Sequence, residues 1–77
     1  MRNIDTTDCH IKFGQWIKSK REQQKLSQEE VASMLGTAQS YYSYLERGQR
    51  VIDLTMAVKL CTVLNVDMKE FLTEYFL

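Results

Sequence analysis

This 77-residue chain predicts an all-α fold, a compact five-helix bundle, on three observations. It has no proline and only three glycines, too few for a fold rich in strands and turns. Its apolar residues recur at i, i+3 and i+4 instead of alternating. Capping signals stand where those periodic runs begin, and glycines where they stop. Seventy-seven residues leave room for one domain, which must bury most of its apolar side chains in a single core.

Residues 1–8 are expected to form a flexible arm ahead of a domain spanning 9–77. The first helix runs roughly from Cys9 to Gln24. The second opens at Gln28, because Ser27 and Glu30 make a capping box in which each side chain satisfies an orphan backbone donor. Val31, Met34 and Leu35 form its apolar stripe. Gly36 ends it, since glycine takes the left-handed C-terminal conformation without penalty. Thr37 is the expected N-cap of a third helix over 38–47, with Ala38, Tyr42 and Leu45 as its apolar stripe and Gly48 beyond its end. A fourth helix covers Leu54 to Leu64 with Asn65 as its cap. A fifth covers Met68 to Tyr75, opened by a second capping box of Asp67 and Glu70.

The central pair, about 28–47, is two short helices joined by a three- or four-residue turn containing glycine. That is the helix-turn-helix unit, whose second helix lies in the major groove of double-stranded DNA. Polar side chains on the second helix therefore point to sequence-specific DNA binding.

The blocks Ile17 to Ala32, Leu35 to Gly48 and Leu60 to Leu72 cover about six tenths of the chain. Through them the sequence resembles the Cro/repressor-type (Xre-like) helix-turn-helix family of DNA-binding transcriptional regulators, which implies a lambda-repressor-like fold. The resemblance puts Gln39, Ser40 and Tyr44 at positions that face base edges, flanked by Tyr41 and Ser43. A glutamine can bond adenine bidentately, a contact worth roughly 1–3 kcal/mol, so Gln39 is the leading base reader. Gln28 is implied to bond a phosphate and to brace the glutamine across the turn. Lys18, Arg47, Gln49 and Arg50 are further phosphate contacts, those after the recognition helix made through backbone N–H groups and basic side chains. Arg21 and Glu46 match a family pair that forms a salt bridge fixing the recognition helix. Many members carry a proline where this chain has Ile52, which leaves the rigidity of that loop open.

Tyr42 falls on the apolar stripe and reads as core, whereas Tyr41 and Tyr44 read as exposed and DNA-facing. The segment Val66 to Leu77 holds more large apolar groups than one helix face can bury. A homodimer is accordingly expected through the fourth and fifth helices, with Phe71, Leu72, Tyr75, Phe76 and Leu77 at its interface, which would set two recognition helices about one DNA turn apart, ~34 Å. Trp16 is a second candidate for that surface or a cover for the core. Arg2 in the arm could reach a phosphate or the minor groove.

The formal net charge is zero, but it is unevenly placed. Residues 1–50 carry eight Lys/Arg and six Asp/Glu, a net of +2, and residues 51–77 carry two and four, a net of −2. The basic half holds the helix-turn-helix. One histidine, no glycine-rich phosphate loop and no paired acids in a cleft motif argue against an enzyme. No cofactor is expected. Cys61 reads as a core thiol, and Cys9 with His10 lacks partners for a metal site. Neither a membrane span nor a signal peptide is expected, and the location expected is cytoplasmic. The competing function is a protein-interaction module, an antitoxin or adaptor binding a partner protein through the apolar C-terminal helix. A phage repressor, a restriction-modification controller and an autoregulating antitoxin all remain open.

Overall fold

In the computed structural model, which describes residues 5–76, the first four helices end in the same way. These are α1 (Cys9–Gln23), α2 (Gln28–Leu35), α3 (Gln39–Glu46) and α4 (Leu54–Val63), and α5 (Met68–Phe76) follows. Lys25, Gly36, Gly48 and Asn65 take left-handed φ values of 59°, 74°, 72° and 53°. The next N–H then folds back onto a carbonyl in the last turn: Leu26 to Arg21 at 3.2 Å, Thr37 to Ala32 at 3.0 Å, Gln49 to Tyr44 at 2.9 Å, Val66 to Cys61 at 2.9 Å. This closure satisfies the end carbonyls and turns the chain sharply, so short connections suffice.

The starts differ. Both halves of the Ser27/Glu30 capping box are formed. Asp53 caps α4, its Oδ1 accepting from Met56 N at 2.8 Å. The second capping box is not made: Asp67 Oδ1 accepts from Lys69 N at 2.9 Å, and the Glu70 carboxylate turns to Lys20 Nζ on α1 at 3.2 Å. Nor is Thr37 the cap of α3: the helix begins at Gln39, one residue later than expected, so Ala38 stands at the N-cap and offers no side-chain acceptor, while the Thr37 hydroxyl donates to the Ala38 carbonyl at 3.4 Å.

One core unites all five helices. It holds Phe13, Trp16 and Ile17 of α1, Val31, Ala32 and Leu35 of α2, Tyr42 and Leu45 of α3, Ala57, Leu60 and Leu64 in and just after α4, and Phe71 of α5. Two expectations are corrected here, for Met34 and Ala38, and the alternatives left open for Trp16 are decided. Met34 is 47% exposed and Ala32 takes its place on the buried stripe. Ala38 is exposed. Trp16 is a core residue at 1% exposure, its ring 5.5 Å from that of Phe71, and its Nε1 is buried without a partner. The Phe71 ring meets Phe13 edge-on at 5.0 Å, a favoured aromatic arrangement.

Gly14 sets the spacing of α1 against α3. A Cβ there would lie 2.3 Å from the Leu45 carbonyl oxygen and 2.9 Å from that of Glu46, so only glycine lets the helices approach this closely. Ile52 packs half-buried against the core and precedes the α4 cap, which anchors the loop where a proline would have stiffened it. Cys9 and Cys61 are free and half-buried at the core's edge, and burial, then Asp67, push the Cys61 thiol up. No group of three or more potential metal ligands is gathered among the described residues. No helix among them is long and apolar enough to cross a membrane. Arg2 and Leu77 lie outside the described residues.

Candidate nucleic-acid interface

The helix that carries the expected base readers is held by a single buried carboxylate. Glu46, 3% exposed at the end of α3, accepts four hydrogen bonds. Arg21 donates through Nε to Oε2 at 2.6 Å and through Nη2 to Oε1 at 3.1 Å. Gln28 Nε2 donates to Oε1 at 2.9 Å, and the Tyr42 hydroxyl to Oε2 at 2.5 Å. Arg21 Nη1 also reaches the Leu26 carbonyl at 2.8 Å, tying in the turn before α2. Burial alone would raise the Glu46 carboxyl, but the hydrogen bonds from Arg21, Tyr42 and Gln28 together hold it below the usual carboxylate range. Burial, then the bond to Glu46, push the Tyr42 phenol far up, in keeping with its role as a donor to the carboxylate. The cluster links α1, α2 and α3 and fixes α3 about its own axis.

The sequence placed Arg21 with Glu46 and put Tyr42 in the core, and both are so. It missed the Tyr42 hydroxyl as a member of the cluster, although a tyrosine four residues before a buried glutamate on one helix face was the available signal. The half-buried Gln28 amide braces α3 through Glu46, and among the described residues it makes no hydrogen bond to Gln39. Gly14 carried no signal in the sequence.

The outward side of α3 presents Gln39, Ser40, Tyr44 and Arg47 to solvent, with Ser43 half-buried among them. Among the described residues, no hydrogen bond ties the side chain of Gln39, Ser40 or Ser43 to another part of the protein. Tyr41 is half-buried and packs against the core, so it is less available than expected. Tyr44 is 38% exposed, with the Arg47 guanidinium 5.0 Å and the Arg50 guanidinium 5.9 Å from its ring centroid. Lys18 and Gln49 are exposed. The Gln49 backbone N–H closes the end of α3 on Tyr44 and so is not free for a phosphate.

The expected dimer face is altered. Phe71, 2% exposed, is removed from it by burial, and Tyr75 and Phe76 pack half-buried around the Phe71 ring at 5.1 and 5.8 Å. Leu72 is 47% exposed. Larger apolar exposure lies elsewhere, at Val51 (76%), Leu54 (79%) and Val58 (56%).

A model of the helix-turn-helix family matches residues 17–71. The chain is 31% identical over 68 residues to the control protein C.MunI of a Mycoplasma species, covering 87% of this chain and 92% of that protein. The restriction-modification controller protein C.AhdI from Aeromonas hydrophila superposes with a TM-score of 0.74 at 38% identity, over 82% of this chain and 96% of the other. SinR, the master regulator for biofilm formation, solved in complex with DNA, gives a TM-score of 0.69 at 33% identity, over 78% and 97%. The chain therefore belongs to the Cro/repressor-type (Xre-like) helix-turn-helix family of DNA-binding transcriptional regulators.

Proposed function

We infer that this regulator controls a restriction-modification system, binding a palindromic operator as a homodimer with α3 in the major groove. One observation carries the reading. The inner side of α3 is tied to α1 and α2 by three hydrogen bonds to Glu46, with a fourth from Tyr42 within the helix, while its outer side presents uncommitted polar groups, as a rigid reader of base edges requires. Gln39 reads an adenine, with Ser40 and Ser43 beside it. Lys18, Arg47 and Arg50 contact phosphates, and the uncapped first-turn N–H groups of α3 suit another. Gln28 serves as a brace to α3. The likeness to C.MunI and C.AhdI, both named as control proteins, favours restriction-modification control over a phage repressor or an antitoxin. The dimer face we assign to Val51, Leu54 and Val58, because these residues leave most apolar surface in water. Binding without catalysis, in the cytoplasm, completes the reading.

The test is selection of binding sites from random duplex DNA by the purified chain, beside Gln39→Ala. Enrichment of a palindrome with half-sites about ten base pairs apart, lost in the variant, is expected. The same palindrome should stand upstream of restriction and modification genes in the source genome. No enriched motif at low salt would favour the protein-interaction reading.

A further inference from the structure

The geometry points to Tyr44 as a positioning residue: its ring holds Arg47 and Arg50 as a two-guanidinium clamp for one stretch of DNA backbone. This rests on the DNA-binding reading above and replaces a base-reading role for Tyr44 within it. Both guanidiniums lie within cation–π range of the one ring, at 5.0 and 5.9 Å. Arg47 is the C-cap residue of α3, three positions after Tyr44. Arg50 is brought there by the backbone: the Gln49 N–H bonds the Tyr44 carbonyl itself, and Gly48 at φ 72° makes that reversal possible.

Two exposed cations in such proximity repel each other, and among the described residues neither has a carboxylate partner; the ion pairs there are Lys20–Glu70 and Arg21–Glu46. The negative ring face offsets part of that repulsion, and an arriving phosphate would offset the rest. A guanidinium lying against a ring keeps N–H donors at its rim, in the fork that matches a phosphate. Restricting both long side chains before contact lowers the entropy lost on binding. A ring engaged by two cations is poorly placed to pack on a thymine methyl as well.

The test measures affinity for the selected operator and for a mixed-sequence duplex across a salt series, with Tyr44→Phe, Tyr44→Leu and Arg47→Ala/Arg50→Ala. Tyr44→Leu should weaken binding to both duplexes by about three- to tenfold and make the salt dependence shallower by about one to two released ions. Tyr44→Phe, which keeps the ring, should match the parent. Adding Tyr44→Leu to the double arginine variant should have no further effect, a comparison that any general loss of folding would not reproduce. An altered sequence preference with an unchanged salt dependence would make Tyr44 a base reader and overturn the proposal. So would a Tyr44→Phe variant as weak as Tyr44→Leu, or an undiminished effect of Tyr44→Leu without the arginines. A parent protein with no salt-dependent duplex binding would instead sink the DNA-binding reading itself, and the clamp with it.

Discussion

The hydroxyl of Tyr42 donates to Glu46 Oε2 at 2.5 Å, so the recognition helix carries part of its own brace, one turn long, on its buried side. Tyr42→Phe removes only that donor and leaves the ring in place. Hydrogen bonds to charged groups contribute about 1.5–3 kcal/mol, and the variant should lose stability in that range by chemical denaturation. Operator affinity should fall much less, since Arg21 and Gln28 still hold the carboxylate.

Glu46 also sets a pH dependence. Its folded carboxyl lies below the usual range, so near pH 4 the unfolded chain binds more protons there than the folded one. The contribution is complete above the unfolded value of about 4.3 and is lost as pH falls through the folded one. Glu46→Gln should therefore flatten the acid limb of a stability–pH profile. At neutral pH it should destabilise, because Arg21 is left buried beside a neutral amide. An unchanged acid limb would show that other carboxylates govern it.

Gly14→Ala tests the α1–α3 approach. Alanine favours a helix interior by about 1 kcal/mol, yet the new Cβ would meet two backbone carbonyl oxygens that cannot swing away. Overpacking should win, at about 1–3 kcal/mol, and because α3 must move, affinity for DNA should drop as well. Gly36→Ala is the contrast. Nothing lies within 4 Å of its Cβ, but φ is +74°, so it should cost about 1–2 kcal/mol of stability with affinity kept in the surviving fold.

Leu54→Glu and Val58→Glu place charges on the most exposed apolar face of α4. Sedimentation should show a dimer in the parent and a monomer in the double variant, with folding intact because neither side chain is buried. Operator affinity should fall steeply, while a single half-site would be bound as before. A double variant that still dimerises would return the interface to the α5 side, where Leu72 is the exposed residue.

The helices were legible because their signals are local. Ser27 with Glu30, Gly36 and Gly48, and the 3.6-residue period each act within a turn or two of chain, and each element formed where those signals stand. The Arg21–Glu46 pair was legible through resemblance, since nothing local joins residues on different helices. What failed were assignments that depend on which face of a helix meets another. Trp16 and Phe71 could each have covered a surface, and only packing put both rings into one core. Met34 lies on the expected apolar stripe of α2, yet the neighbouring helices come closest on the side of Ala32.

The sequence by itself determined that this protein is a five-helix helix-turn-helix domain with Gln39, Ser40 and Tyr44 on its reading helix, because periodicity, caps and family register are properties of neighbours along the chain. Only the tertiary structure decided that Gln28 and Tyr42 join Arg21 around Glu46, that a Cβ at Gly14 would meet the backbone of α3, and that Val51, Leu54 and Val58 are the apolar groups most exposed to water. Those outcomes depend on distances between helices, which arise when five short elements compete to bury their side chains in one small core.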